Sequence, residues 1–336
     1  MSDLGPFENS GSPEESDLTR RERDLRRRAQ DLYESQLSEN TRRAYRSGWD
    51  DFLAFCKSKG RKPLPASEET VALYAAKLSE SLSVSTVEQR LSAIKWFHEQ
   101  SGHESPTVSN RVRGLVKGLT RKQSSRETQA RPLLTKHIAE ITDALRRETE
   151  SEADCLRQAR DRALILLGYA GALRRSELAN VRLGHLHDRD RGFALEIPQS
   201  KTDPEGTGQI VGIARTGSER CPCGAVEDWI SRSGITEGPL FRGVHRGGTL
   251  LEGAISARTV NNVIKRSARA AGFSTELQSS ISGHSLRAGH ITQATINNVP
   301  DGVIRAQSRH EDKSTFYGYQ RIEKALKRTS SARLGL

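Results

Sequence analysis

The feature that most constrains the fold of this chain is a helical hydrophobic repeat that begins at residue 38. Large apolar side chains recur there at a spacing of three or four residues, at Tyr45, Trp49, Phe52, Leu53 and Cys56. This is the period of an α-helix with one apolar face. Three further segments show the same period, starting near Ser67, on the capping box Ser85–Glu88 and near residue 107. The sequence therefore predicts a bundle of four helices.

The helical repeat stops after about residue 121. The residues predicted to face the core in the last three helices are Val71, Tyr74, Leu78, Val87, Leu91, Ile94, Phe97, Val108, Val112 and Leu115. The stretch RKQSSRETQARPL, residues 121–133, then lacks apolar periodicity and is rich in Ser, Gln and Arg. A chain of 336 residues is long for one core, so we predict two domains. We place the bundle at 38–122, an exposed linker at 123–133 and a second domain at 134–336.

The second half is predicted to be mainly helical. Its first helix starts at Thr135, and a longer one contains the run Ala163–Leu167, which is apolar on nearly every side and predicts a central position. The segments FALEIPQS and QIVGIART indicate two strands that flank the turn-rich loop KTDPEGTG. Helices are predicted again over 225–234, 257–271, 285–297 and 300–307. The predicted fold class is mainly α, with one small antiparallel sheet in the second domain.

The charge of the chain points to a polyanionic partner. Fifty-three Lys and Arg outnumber 42 Asp and Glu, for a net charge of +11, which suits nucleic acid or an acidic membrane surface. No apolar run approaches the ~18 residues of a membrane span. Residues 1–17 are acidic and lack Lys and Arg, so we expect a disordered tail and no targeting peptide. The Arg-rich helix predicted over 18–36 suits DNA backbone contact or a solvated, salt-bridged surface.

The four cysteines do not predict a disulfide scaffold in a chain of this length. Cys221 and Cys223 have C-x-C spacing, and no second pair of Cys or His follows at the spacing of a zinc finger. A turn that leads into a helix is the alternative to a zinc site, and we favour it. The expected compartment is reducing, either cytosol or nucleoid.

Several polar residues in the second half are candidates for a site. Glu177 follows Arg174 by one helical turn and has the spacing to hold its guanidinium, although an exposed salt pair has the same spacing. Lys201 lies in the loop between the two predicted strands, where a lysine is usually just solvated. His284 and Arg287 are three residues apart and share a helical face, a pair that also arises by chance in an Arg-rich chain.

Taken together and in order, the motifs ALRRSEL, SKTD, GHSLR and RHEDKSTFYGY resemble those of the tyrosine recombinases, also called the phage integrase family. The resemblance covers about residues 38–328, and the domain plan is similar to that of Cre-type and Xer-type enzymes. It implies that the N-terminal bundle is a SAM-like core-binding domain and that the second domain is catalytic. Both domains are then expected to clamp duplex DNA.

The resemblance also implies which residues form the active site. That set is Arg174, Lys201, His284, Arg287, His310 and Tyr319. Arg174 is selected over Arg175 because it stands three residues before Glu177, as the family's first arginine stands before its acidic residue.

The nucleophile follows from the same comparison. His310 occupies a position that is His or Trp in the family, and the nucleophilic tyrosine usually lies nine residues later, which selects Tyr319 over Tyr317. One departure is that the usual Gly-His is Arg309-His310 here, which we do not expect to change the chemistry.

The implied activity is site-specific DNA recombination through a 3′-phosphotyrosyl intermediate and a Holliday junction. It implies a homotetramer on two DNA sites, with no metal, cofactor, ATP or membrane. A type IB topoisomerase, which uses nearly the same residues, and a catalytically inactive DNA-binding protein on the same fold are the alternatives. An RNA-binding helical protein has only the charge in its favour.

Overall fold

The computed structural model describes residues 37–123, 130–149, 151–198, 208–310, 316–317 and 320, with positions 22, 24–25 and 27–28. The chain divides into two compact units, Met1–Glu127 and Thr128–Leu336. The five described positions before residue 37 are helical and exposed, within the predicted basic helix. The tail predicted over 1–17 lies outside the described residues. No helix in the described part of the chain is long and apolar enough to cross a membrane.

The described parts of both units are mainly helical. The first unit contains α1 Glu39–Ser58, α2 Glu68–Leu78, α3 Val84–Gln100 and α4 Asn110–Gln123. The helices of the second unit are α5 Thr135–Ala144, α6 Glu152–Ala170, α7 Arg175–Ala179, α8 Pro222–Ser233, α9 Ala257–Ala270, α10 Thr275–Ser280, α11 Ser285–Ile296 and α12 Asp301–Ser308. Its strands are β1 Leu186–Arg189, β2 Gly192–Ile197, β3 Gln209–Ala214, β4 Arg242–Val244 and β5 Leu250–Ala254. The predicted fold class, mainly α with a small antiparallel sheet in the second domain, is confirmed.

Serine caps begin the first three helices of the N-terminal unit. The hydroxyls of Ser38, Ser67 and Ser83 each accept a hydrogen bond from the backbone N–H of the threonine three residues later. These bonds satisfy donors that the first helical turn otherwise leaves unpaired. The predicted capping box at Ser85 was wrong by two residues, because Ser83 holds the extended cap conformation and Ser85 already lies inside α3.

The core of the first unit forms where the apolar faces of the four helices meet. Phe52, Val71, Tyr74, Val87 and Ile94 are fully buried there. Val108, which was predicted in the fourth helix, is partly exposed. It ends a separate 3₁₀ turn, Pro106–Val108, and α4 begins only at Asn110.

A buried histidine ties this core together. His98 is fully buried; its Nε2 accepts from the Ala66 N–H (2.9 Å), and its Nδ1 contacts the Ile94 carbonyl oxygen (2.8 Å). Since Nε2 is an acceptor, the proton lies on Nδ1 and the ring is neutral. Burial is the main cause that lowers the pKa of His98 below 6.5.

We predict that protonation of His98 destabilises the protein in mild acid. An unfolded chain protonates this ring below about pH 6.5, whereas the folded chain holds it neutral, so stability is full above that pH and falls below it. The loss approaches ~1.4 kcal/mol per pH unit for one such group. Urea unfolding of the full chain between pH 7.5 and 5.5 measures it. His98→Gln keeps a donor and an acceptor and should show a smaller slope; equal slopes would contradict the prediction.

Helix α6 is the centre of the second unit. All five residues of the predicted central run, 163–167, are buried. This helix packs against α8 on one side and α11 on another. The run is apolar on nearly every side because neighbouring elements cover the helix from several directions.

The second unit contains more β-structure than the sequence predicted. Strands β2 and β3 pair antiparallel where predicted, with Phe193 opposite Ile213 and Leu195 opposite Val211. Strand β1 extends this sheet in the order β1-β2-β3, and β4 and β5 form a separate antiparallel pair. The short strands β1 and β4 were missed because three or four residues show no clear alternation of apolar and polar side chains.

The end of the predicted linker is packed into the second unit. The N–H groups of Arg131 and Leu133 donate to the carbonyls of Ser280 and Ser285, both at 3.0 Å, and Leu133 is fully buried. A Cβ on Gly289 would lie only 1.9 Å from the Leu133 carbonyl oxygen, so glycine at 289 is what permits this contact. The predicted exposure was therefore wrong for Leu133, while the domain boundaries stay a prediction.

The CPCG motif forms the start of a helix. Cys221 caps α8, and Pro222 occupies its first turn. Burial raises the pKa of the Cys221 thiol, but hydrogen bonds from Gly224, Thr216 and Gly217 outweigh it and bring the value to about 7. In the part of the chain that the structure describes, no group of three or more His, Cys, Asp or Glu is arranged to hold a metal ion.

Candidate active site

Four of the six predicted site residues come together in the second unit. Arg174 caps the short helix α7, His284 and Arg287 belong to the start of α11, and His310 follows the end of α12. These three elements are far apart in sequence. Tertiary folding alone therefore assembles the cluster.

Arg174 is held by three hydrogen bonds, two to Glu177 and one to Arg309. Its backbone N–H donates to Glu177 Oε2 (2.7 Å), and its Nη1 donates to Glu177 Oε1 (2.6 Å). Its Nη2 donates to the carbonyl oxygen of Arg309 (3.2 Å). The Glu177 side chain is only 4% exposed, so this pair is not the exposed salt bridge considered from the sequence. Neighbouring Arg175 is exposed instead.

Arg287 is almost completely enclosed, with 2% of its surface exposed. Its Nη1 donates to the carbonyl oxygen of Ala172 (2.8 Å), and its Nη2 lies 3.3 Å from the ring nitrogens of His310. Ala172 has a left-handed backbone (φ 47°) just after α6. An unusual backbone conformation thus presents the carbonyl that fixes this guanidinium.

The hydrogen bonds around His310 assign its tautomer. The Ser308 hydroxyl donates to the Ile304 carbonyl (2.7 Å), so its oxygen is left to accept from His310 Nδ1 (2.9 Å). His310 Nε2 then carries the lone pair, and it lies 3.3 Å from Arg287 Nη2, as Nδ1 does. Burial first, and then the charges of Arg287 and Arg174, lower the pKa of His310 to about 3. The ring is therefore neutral at physiological pH.

His284 lies at the rim of the cluster, exposed at the N-cap of α11. Its backbone N–H donates to the Ser282 hydroxyl (3.2 Å). Desolvation, followed by the charges of Arg287, Arg175 and Arg174, lowers its pKa below 6.5. A neutral imidazole at pH 7 is able to accept a proton.

The cluster carries an excess of positive charge. Arg174, Arg287 and Arg309 contribute three guanidinium groups, and Glu177 one carboxylate. Burial tends to raise the pKa of Glu177, but Arg309 and Arg174 outweigh it and hold the pKa below its usual value, so the carboxylate is ionised. With both histidines neutral, two positive charges are left to attract an anion. Planar guanidinium groups match the oxygens of a phosphate.

Comparison with known proteins agrees with this chemistry. Residues 133–325 match the Phage integrase family, and residues 30–104 match the phage integrase N-terminal SAM-like domain. The chain belongs to the phage integrase family of tyrosine recombinases. An integrase/recombinase xerD homolog of Selenomonas ruminantium is 30% identical over 290 residues, covering 85% of this chain and 82% of the homolog.

Two further proteins resemble this recombinase, one in sequence and one in fold. The recombinase Cre of Escherichia phage P1 is 27% identical over 266 residues, 75% of each chain. Lambda integrase, in a crystal structure of its tetramer bound to a Holliday junction, shares the fold with a TM-score of 0.56 and 15% identity, over 88% of this chain and 75% of that chain. The expected activity, site-specific recombination by DNA cleavage and strand transfer, is confirmed, and the topoisomerase and inactive alternatives are not favoured.

The remaining two predicted site residues of the recombinase, Lys201 and Tyr319, lie outside the described residues. Tyr317 is described; it is 45% exposed, with its ring centroid 5.5 Å from that of Phe316. Phe316 is buried, and its ring centroid lies 5.9 Å from that of His310. The chain is therefore anchored beside the cluster three residues before Tyr319.

Sequence reasoning missed one member of the recombinase's cluster, Arg309. It was treated as a departure from Gly-His without chemical effect, yet its side chain is buried and its Nη2 donates to Glu177 Oε2 (2.6 Å). Its backbone is left-handed (φ 54°), the conformation that favours glycine. The signal in the sequence that could have identified it was a large charged residue in place of the glycine that usually precedes this histidine.

Proposed function

We propose that this recombinase cleaves one DNA strand by attack of the Tyr319 hydroxyl on a phosphodiester and keeps the 3′ side as a phosphotyrosine. The observation that carries the proposal is the convergence of Arg174, Arg287, His284 and His310 in one positively charged cluster. Phe316, anchored against His310, supports the choice of a tyrosine three residues further on. The spacing of nine residues from His310 favours Tyr319 over Tyr317.

Arg174 and Arg287 are proposed to bind the non-bridging oxygens of the scissile phosphate. Those oxygens gain negative charge in the transition state, and fixed donors stabilise it without having to reorganise. Both guanidinium groups are already anchored by backbone carbonyls, of Arg309 and Ala172 respectively. Each donor of this kind is typically worth ~3 kcal/mol at the transition state.

Two residues move the protons in the proposed step, one as acceptor and one as donor. His284, neutral at pH 7, takes the proton of the Tyr319 hydroxyl as the O–P bond forms. Lys201 gives a proton to the 5′ oxygen as the P–O5′ bond breaks. A 5′ hydroxyl from another strand then reverses both transfers and releases the tyrosine. Because the phosphotyrosine conserves the free energy of the broken P–O5′ bond, the exchange needs no ATP, and no step is assigned to a metal ion.

His310 is proposed to hydrogen-bond the same phosphate. A ring nitrogen of His310 now faces Arg287 Nη2 at 3.3 Å. When a phosphate oxygen becomes the acceptor for Arg287, the imidazole can bind that oxygen too. The negative phosphate would raise the low pKa of the ring and favour its donor form.

The assembly that we propose is a homotetramer that joins two duplex sites through a Holliday junction. The lambda integrase structure is of such a tetramer on a junction, and this chain shares its fold. Double-stranded DNA is the partner, and the corresponding compartment is the cytoplasm, in association with the nucleoid. The net charge of +11 supports tight association with DNA.

Helix α4 presents a basic surface in the N-terminal unit. Arg113, Lys117 and Arg121 recur every four residues along one exposed stripe, and no acidic residue interrupts this helix. Its opposite face buries Val112. We propose that this stripe follows the phosphate backbone of the DNA.

Salt titration tests this proposal. If the stripe contacts three phosphates, replacing Arg113, Lys117 and Arg121 together by glutamine should reduce the slope of log affinity against log salt by about 3 × 0.9. The charge-conserving Arg113→Lys and Arg121→Lys variant should keep the wild-type slope. Fluorescence anisotropy with duplex DNA from 50 to 300 mM salt measures both. A triple variant with the wild-type slope would remove α4 from the interface.

Covalent capture is the experiment that tests the proposed function. The full chain is mixed in EDTA with a randomised pool of nicked duplexes, the mixture is denatured in SDS, and the peptide that carries DNA is mapped by mass spectrometry. A nick lets the cleaved fragment diffuse away, so that the covalent adduct accumulates. The expected result is an adduct on Tyr319, and sequencing the captured DNA gives the target site. A protein that binds duplexes of the pool but forms no adduct would refute the proposed mechanism.

A further inference from the structure

Two left-handed residues hold the two site arginines. Among the described residues, the non-glycine positions with positive φ are Ala172, Asn298 and Arg309, at 47°, 61° and 54°. The carbonyl of Ala172 accepts from Arg287, and that of Arg309 accepts from Arg174. Such conformations are uncommon for residues with a side chain and are maintained by the structure around them. Both therefore suggest a role in placing the guanidinium groups.

The side chain of Arg309 adds a second connection to the same arginine. Its Nη2 donates to Glu177 Oε2 (2.6 Å), and Glu177 Oε1 accepts from Arg174 Nη1 (2.6 Å). Glu177 is thus clamped between two guanidinium groups. A buried carboxylate with two cationic partners has little freedom to rotate.

Arg309 is itself placed as a support. It is only 7% exposed, and its Nη1 donates to the carbonyls of Gln307 (3.1 Å) and Gly171 (3.4 Å). Its Nε is buried and has no hydrogen-bond partner among the residues that the structure describes. The Arg309 side chain is 4% exposed, against 23% for that of Arg174. Both Nη atoms of Arg309 donate to protein oxygens, whereas Nη2 of Arg287 lies against the His310 ring nitrogens. Arg309 therefore reaches a DNA phosphate only by giving up these bonds. Direct contact with the substrate is therefore not its role.

We propose that Arg309 is a positioning residue that fixes Arg174 by two routes, through its own carbonyl and through the Glu177 carboxylate. This inference rests on the proposed function, in which Arg174 binds the scissile phosphate. A glycine at this position would keep the first route and lose the second. Arginine at this position gives up the backbone freedom of glycine. In return its side chain forms an ion pair with Glu177, which orients the phosphate-binding Arg174.

The test separates cleavage from binding. Single-turnover cleavage and affinity are measured on a nicked duplex that carries the site recovered by covalent capture. Arg309→Gly should cleave about 10²-fold more slowly, the cost expected for a misplaced catalytic group. Its DNA affinity should stay within about threefold, because most phosphate contacts lie elsewhere. Arg309→Lys, which keeps a cation beside Glu177, should recover most of the rate.

A double-variant cycle asks whether Arg309 acts through Glu177. If it does, adding Arg309→Gly to Glu177→Gln should reduce the rate little further, because the connection is already broken. Two results would overturn the proposal. One is an Arg309→Gly variant that cleaves at the wild-type rate. The other is an Arg309→Gly substitution that slows cleavage as much in the Glu177→Gln variant as in the wild type.

Thermal unfolding of each full-length variant controls for loss of structure. If Arg309→Gly does not fold, Arg309→Gln takes its place. Arg309→Lys should then cleave faster than Arg309→Gln, and equal cleavage rates would overturn the proposal. If the wild-type chain itself forms no covalent adduct with DNA, the proposed function is refuted. That result differs from any result that overturns the role of Arg309 alone.

Discussion

A recombinase with phenylalanine in place of Tyr319 is expected to form no covalent adduct with DNA while it still binds the target site. Phenylalanine keeps the aromatic ring and removes only the hydroxyl that attacks phosphorus. Removal of a covalent nucleophile typically costs about 10⁴-fold or more in rate. SDS gel analysis of a nicked duplex with the wild-type and variant chains measures the adduct directly.

Tyr317→Phe is the matched control for this prediction. Tyr317 stands two residues earlier, is exposed and packs on Phe316. Its hydroxyl has no role in the proposed mechanism, so adduct formation should stay within a few-fold of wild type. If the Tyr317 variant loses the adduct and the Tyr319 variant keeps it, the nucleophile has been assigned to the wrong tyrosine.

Replacing Arg287 by lysine should cost about 10²–10³-fold in cleavage rate, the loss typical of a transition-state donor. Lysine keeps the positive charge but has one nitrogen in place of a planar fork. It is therefore unable to donate to the Ala172 carbonyl and bind a phosphate oxygen with the geometry of arginine. Affinity for the uncleaved site should change much less, because the lost interaction is strongest in the transition state. Single-turnover cleavage and anisotropy measure the two quantities.

Arg175→Lys provides the comparison for Arg287→Lys. The substitution is chemically identical, but Arg175 is exposed and next to Arg174 rather than enclosed. Its cleavage rate should stay within a few-fold of wild type. Equal losses in both variants would show that any change of arginine near the cluster is harmful, and would contradict a specific role for Arg287. A normal melting temperature of Arg287→Lys is required for the comparison.

The carbonyls of Ala172 and Arg309, two residues with left-handed backbones, hold the site arginines in place before DNA binds. Arg174 and Arg287 lie close enough for both charges to lower the pKa of His284 and of His310. Cations held together repel one another, so each needs a fixed partner. The carbonyls of Arg309 and Ala172 and the carboxylate of Glu177 supply those partners. The positions of the guanidinium groups are thereby set within the protein itself.

Local sequence signals predicted much of the secondary structure. The period of Tyr45, Trp49 and Phe52 gave the first helix, and the apolar run at 163–167 gave the buried centre of the second unit. Such signals succeed because a helix or a long strand must repeat one face toward the core. They failed where an element is too short to repeat, as in β1, or where several serines compete to cap a helix, as at Ser83 and Ser85.

Periodicity and motif order are written along the chain, so they were enough to predict the helical fold, the recombinase family and the candidate residues of the active site. How Arg174 and Arg287 are held depends instead on contacts made by folding. Their partners, the carbonyls of Arg309 and Ala172, lie 135 and 115 residues away in the chain. A backbone carbonyl belongs to every residue and leaves no mark in the sequence. The role of Arg309 was likewise visible only once folding had placed its side chain against Glu177.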